Sequence, residues 1–196
     1  MPRRELPFYI HAIAKIAAIA SPVRAAIIDA LDSLGPATIL QLAGTVGYPP
    51  DGLYYHLNML EKNGLVVRAD PEPGTGAARF DLPGHPATLS YRLEDGRQRE
   101  ATTRVVGTML RSAERSFRRG FAPGAATVDG PHRNLRAGRR VAWLTDRELE
   151  QLNRHIERIH ALFRRGGPSR KGARLHEFTY VLAPVGTNGR RGRPSP

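Results

Sequence analysis

The chain has 196 residues, enough for one real hydrophobic core plus an appendage, and its apolar fraction of 40% argues against general disorder. It has no cysteine, which excludes disulfides, thiolate metal sites, a cysteine nucleophile and thiol redox sensing, and suits a reducing cytoplasm. The formal charge of +12 is uneven: residues 1 to 96 carry 8 basic against 10 acidic side chains, and residues 97 to 196 carry 22 against 8. Such a balance suggests a polyanionic partner, nucleic acid first. The competing reading is compositional, since 27 of the 30 basic residues are arginine.

The N-terminal stretch has two arginines, an apolar run and small residues at its end, like a secretory signal. Glu5, His11 and Lys15 interrupt it, and no apolar run approaches the roughly 20 residues that span a bilayer. Ile10, Ile13, Ala17 and Ala20 recur at helical spacing, which predicts an amphipathic packing helix over 5–20. Ser21-Pro22 then reads as a helix start, with Ser as cap and Pro at the first position. The helix that follows places Val23, Ile27, Ile28, Leu31 and Leu34 on one face and stops at Gly35-Pro36. A shorter helix begins at Thr38, a candidate cap, and ends at Gly47.

A third helix is expected from about Pro50 to Asn63, with Leu53, Leu57 and Leu60 as its core stripe and Gly64 as its left-handed stop. The period then changes. "LVVRA" (65–69) and "ARFDL" (78–82) are strand candidates joined by the turn-rich "DPEPGTGA". Three short helices followed by a hairpin are the order of a winged helix-turn-helix, whose second motif helix enters a DNA major groove.

Beyond the hairpin a longer helix is expected over 97–121, with Ala101, Val105, Val106, Met109, Leu110, Ala113 and Phe117 as its stripe. Residues 120–140 read as a Gly/Pro/Arg-rich loop. A further helix starts at a capping box of Thr145 and Glu148, with Leu144 and Leu149 as a hydrophobic staple. Leu149, Leu152, Ile156, Ile159 and Phe163 form a seam for another helix. "HEFTYVLAPV" (176–185) is a late strand candidate, and the chain closes on a basic tail expected to be disordered.

The stretch from Ser21 to about Leu82 resembles the ArsR-like winged-helix transcription regulators. The likeness is carried by "SPVRAAIIDAL", "GPATILQLAGTVG" and above all "LYYHLNMLEKNGLV", with His56, Leu57, Leu60, Gly64, Leu65 and Val66 in the motif positions. It covers about a third of the chain; residues beyond 96 look like helical dimerisation and regulatory extensions of larger members. The resemblance implies a homodimer on a palindromic operator in double-stranded DNA, with repression relieved by a small-molecule effector or another signal. Two departures stand out. The turn opening the recognition helix is "PPDG", where members usually carry Ser, Thr or Gln, and the cysteine metal motif is absent.

Together these readings predict a mainly α fold with a small β-hairpin wing (α+β), a winged helix-turn-helix with helical dimerisation extensions. The expected divisions are a packing helix over 1–20, a DNA-binding domain over 21–83, a linker and long helix over 84–121, a C-terminal region over 122–183 and a tail over 184–196. The candidate DNA contacts are Thr38, Asp51, Tyr54, Tyr55, Asn58, Lys62, Arg68 and Arg79, with Arg79 ranked ahead of Arg68. Tyrosine hydroxyls bind phosphates and Asn58 suits an adenine edge, whereas one tyrosine packed beneath the wing is the plainer reading. The candidate dimer contacts are Ile13, Val106, Leu110, Phe117, Leu149, Leu152, Ile156 and Ile159. His56 reads as structural, anchored by a local hydrogen bond. His155 and His160, five apart, do not share a helix face, so no zinc site is expected. Nucleophile-elbow, Walker and Rossmann patterns are missing, so neither catalysis nor a cofactor is expected. The main rival is a winged-helix module that binds protein rather than DNA.

Overall fold

A computed structural model describes residues 6–92, 94–163 and 172–185. Strand β1 (Phe8–Ile10) and helix α1 (Ile13–Ala18) open the chain, followed by α2 (Pro22–Leu34). Next come β2 (Ala37–Thr38), α3 (Ile39–Val46) and α4 (Pro50–Lys62). The wing strands β3 (Val67–Ala69) and β4 (Arg79–Asp81) precede β5 (Ala87–Leu89), α5 (Gly96–Arg119) and α6 (Asp146–Phe163). The fold is mainly helical, with a three-stranded antiparallel sheet in the order β2-β4-β3: an α+β winged helix. The hairpin and all three motif helices form where the hydrophobic periods place them.

Three expectations need correction, and two short strands, β2 and β5, were not expected. The helix expected over 5–20 is in part a strand: β1 pairs in parallel with β5, Phe8 opposite Ala87 and Ile10 opposite Leu89. Aromatic and β-branched side chains in "FYI" suit that edge, and Ile10 is buried there. Glu5, where that helix was to begin, lies outside the described residues, as does the tail from 186 onward. Ser21 makes no side-chain cap; its carbonyl accepts from Ala25 N–H at 2.9 Å, and Pro22 alone marks the helix start. Strand β2 was not foreseen, because two residues carry no period of their own. Finally, "HEFTYVLAPV" forms no strand among the described residues, and its rings turn toward α6 instead.

One core joins the motif helices to their flanks. Ile10, Ile16 and Ile19 meet Ile27, Leu31, Leu42, Leu53, Leu57, Leu60, Phe80, Ala101 and Val105 in a single cluster. The first three turns of α5 belong to this core, and Thr108 closes it by donating from its hydroxyl to Ala20 carbonyl at 2.9 Å. Gln98, also buried, donates to His11 carbonyl and accepts from Arg92 N–H. No described residue beyond Thr108 is buried, and all of α6 lies at the surface.

A buried histidine ties the wing to the rest. His85 Nε2 lies 2.8 Å from Asp81 Oδ1 on β4, and its Nδ1 lies 3.3 Å from Asp32 Oδ1 on α2. Asp32 Oδ1 also accepts from Ala87 N–H at 3.0 Å, so the same group seats β5. Hydrogen bonds donated by the imidazole to the Asp32 and Asp81 carboxylates, opposed by desolvation, push its pKa up to about 9. The folded value lies above the ordinary 6.5, so the clamp's stabilisation is complete below about pH 6.5 and is lost as pH rises through about 9. Chemical denaturation at pH 6.5, 8 and 9.5 should show the native chain losing stability relative to His85→Gln across that window. Parallel pH dependences for the two proteins would refute the clamp.

Candidate nucleic-acid interface

The recognition helix is fixed from within and at both ends. Leu53, Leu57 and Leu60 are wholly buried and set its rotation. Its C-terminus closes at Gly64, whose φ of 62° is left-handed, with Leu65 N–H reaching back to Leu60 carbonyl at 2.9 Å. Lys15 of α1 donates to Gly64 carbonyl at 3.2 Å, clamping that exit from outside. Asp51 sits exposed in the first turn and Lys62 in the last, each at the helix end that the backbone dipole favours for its charge.

This anchoring leaves Asp51, Tyr54, Tyr55, Asn58 and Lys62 on the exposed side. Tyr54 and Tyr55 are 50% and 63% exposed, so neither packs beneath the wing. Leu40, near the start of α3, is also exposed. His56 differs from expectation. Its Nδ1 is buried without a hydrogen-bond partner, and the ring sits edge-on to Tyr48 and Tyr55 at 5.8 and 5.3 Å. Desolvation, then the positive charge of Arg24, lowers its pKa. The ring therefore contributes edge-on aromatic contacts, and its buried Nδ1 makes no bond that anchors the helix.

The remaining candidates are engaged within the protein. Thr38 is buried, and its hydroxyl accepts from Gln41 N–H at 3.3 Å while Gln41 Oε1 accepts from Thr38 N–H at 2.8 Å. It is half of a capping box, so its hydroxyl serves the backbone of α3 in this structure. Arg68 on β3 pairs with Glu61 of α4 at 3.1 Å, its guanidinium 4.6 Å from the Phe80 ring centroid. Arg79 on β4 donates from Nε to Asp70 carbonyl at 2.7 Å. Sequence reasoning missed Glu72, which orders the wing loop: it accepts from Thr75 hydroxyl at 2.8 Å and from Gln41 Nε2 at 3.2 Å. Only a contact between residues 31 positions apart reveals that role.

The dimer candidates separate along the chain. Val106 is half-buried on α5, and Leu110 one turn further is exposed. Phe117 meets Phe121 edge-on at 5.3 Å. Ile13, at the first turn of α1, is exposed. The α6 capping box forms as read, with Thr145 N–H donating to Glu148 Oε2 at 2.8 Å. Leu152, Ile156 and Ile159 are half-buried and Leu149 is exposed. Phe178 and Tyr180 lie near Phe163 and His160, and Glu177 accepts from Ser116 hydroxyl at 2.5 Å.

Residues 19–69 match the family described as a helix-turn-helix domain. No curated protein matches. Solved structures similar to the chain include a MarR-family transcriptional regulator from Silicibacter pomeroyi, 16% identical over 78% of this chain and 84% of that one, with a TM-score of 0.33. Another is the multiple antibiotic-resistance repressor of Listeria monocytogenes 4b F2365, 14% identical over 78% and 84%, with a TM-score of 0.29. Those overlaps are too loose to carry function across. The helix-turn-helix match and the β2-β4-β3 sheet agree: this chain carries a winged helix-turn-helix domain.

Capping and contact make opposite forecasts for Thr38. Thr38→Ala should lower the unfolding free energy by about 1 kcal/mol, the usual worth of such a cap. It should leave the salt slope of DNA binding unchanged, because no phosphate contact is lost. A shallower slope at unaltered stability, measured by denaturation and anisotropy together, would return Thr38 to the interface.

Proposed function

We propose that the chain is an ArsR-like transcriptional repressor, cytoplasmic, which binds operator DNA as a homodimer through its winged helix-turn-helix. The observation that carries this reading is the outward face of α4. Tyr54, Tyr55, Asn58 and Lys62 stand exposed on a helix whose rotation three buried leucines fix. Such a helix can enter a major groove, placing Asn58 at base edges and the tyrosine hydroxyls and Lys62 at phosphates.

The second half of the chain supports dimerisation. Its side chains beyond Thr108 are not buried among the described residues, and Trp143 is 97% exposed. Apolar surface on this scale marks an interaction face. A second copy would fill the α6 seam, and a two-fold dimer sets two recognition helices about one DNA turn apart. The arginine-rich second half would add phosphate contacts. An effector or other signal acting on α5 and α6 would alter the spacing of the two heads.

One observation favours the rival protein-binding module. Asp51 stands exposed on the reading face itself, while Arg68 and Arg79 are held by Glu61 and the Asp70 carbonyl. Salt separates the two readings. Fluorescence anisotropy of the full chain on its own promoter region and on random duplex should give affinities that fall steeply with salt. Lys62→Ala should reduce the log–log slope by about 1, and Tyr54→Ala/Tyr55→Ala should weaken binding to the promoter region. Equal, weak binding to both duplexes, unchanged by those substitutions, would favour the protein partner. In sedimentation, Leu152→Glu/Ile156→Glu should convert a dimer to monomer; an intact dimer would move the interface away from α6.

A further inference from the structure

The side chains on α4 also restrict which bases can be read, an inference that rests on the DNA-binding proposal. Asp51, Tyr55, Asn58 and Lys62 follow at spacings of four, three and four, so they form one stripe along the helix. That stripe lies opposite Leu53, Leu57 and Leu60 and is exposed throughout. No hydrogen bond or ion pair engages these four side chains among the described residues, in contrast to Arg68 and Arg79.

Their chemistry is selective. Guanine is read most often by arginine or lysine on O6 and N7, yet α4 contains no arginine, and its one lysine stands in the last turn. In helix-turn-helix docking the N-terminal part of the recognition helix meets base edges, so Lys62 falls to the phosphates. Asn58 matches adenine, donating to N7 and accepting from N6–H2. Tyr55 offers an apolar ring to the thymine methyl. Asp51 only accepts, so it favours an exocyclic amine and repels guanine O6 and N7.

We propose that α4 reads an adenine–thymine step at the centre of each half-site. Asn58 takes adenine N6 and N7, Tyr55 lies against the 5-methyl group of a neighbouring thymine, and Asp51 selects an amine at the helix N-terminus. Arg68 and Arg79, held by Glu61 and Asp70, contribute orientation rather than base identity.

The test is selection of tight-binding duplexes from a random library with the full-length protein, followed by base-analogue substitution in the selected site. Enriched sites should share an A·T step. Replacing the Asn58-contacted pair by G·C should weaken binding roughly 5- to 150-fold, the range for loss of one bidentate base contact. Replacing the thymine by deoxyuridine, which lacks only the methyl group, should weaken the native protein and leave Tyr55→Ala indifferent. Asn58→Ala should flatten the preference at its pair alone. Enriched sites centred on G·C, or deoxyuridine bound as tightly as thymidine, would overturn this assignment while leaving DNA binding intact. No enrichment at all would overturn the DNA-binding proposal and this one with it.

Discussion

The rotation of α4 about its own axis governs what the rest of the molecule can present. A helix turns about 100° per residue, so a shift of one position would carry Tyr54 and Asn58 toward the core. Leu53, Leu57 and Leu60 prevent that, each worth roughly 1.5–3 kcal/mol when buried. Burying Asn58 instead would strand an amide without partners, at a further cost of about 1–3 kcal/mol. The two terms act in the same direction. Gly64 and Lys15 fix the helix along its axis, and His85 holds the wing strand that flanks it through Asp81 and Asp32. Orientation of the exposed side chains is therefore decided chiefly by the three buried leucines beneath them.

What could be read in advance follows the range of the interaction that creates it. The leucine stripe of α4, the Gly64 stop, the wing strands and the Thr145–Glu148 box are all written within a few residues, so their patterns predict them. Strands β1, β2 and β5 are two or three residues long and exist only because a distant partner pairs with them. Ile10 even fitted a helical period with Ile13 and Ala17, which hid the change from strand to helix at residue 11. "HEFTYVLAPV" shows the converse: its residues suit a strand, yet Phe178 and Tyr180 meet rings of α6 and no strand forms among the described residues. The candidate interface divides in the same way. Exposure of Tyr54, Tyr55 and Asn58 follows from local periodicity, whereas the partners of Arg68, Arg79, Glu72, His56 and His85 are set by tertiary contacts.

Thr38 illustrates how one residue type serves two roles that sequence alone does not separate. A hydroxyl at the start of a motif helix can bind a phosphate or cap the helix, and both place it at the N-terminus. Gln41 decides the outcome, because its amide completes the reciprocal box and its Nε2 reaches on to Glu72 in the wing. The cap is thereby continuous with the wing loop. The first motif helix and the hairpin are thus joined by this glutamine as well as by the pairing of Thr38 with Arg79 and by the core that Leu42 and Phe80 share.

The two halves of the chain differ in how each can gain free energy. Up to Thr108 the chain is near neutral and buries a continuous core; beyond it the chain is strongly basic and buries nothing among the described residues. Under the DNA reading these are complementary deficits. A reading head with net charge −2 has little sequence-blind attraction to phosphate, so it discriminates mainly through base contacts. The basic half supplies the salt-dependent term that the head lacks. In the proposed dimer a second copy covers the apolar seam of that half and brings a second head. Linking two weak heads raises affinity for paired half-sites well beyond that for single ones, provided the spacing fits. Specificity would then arise from geometry as much as from α4, and a signal that alters the α5–α6 region would change occupancy without touching a base contact.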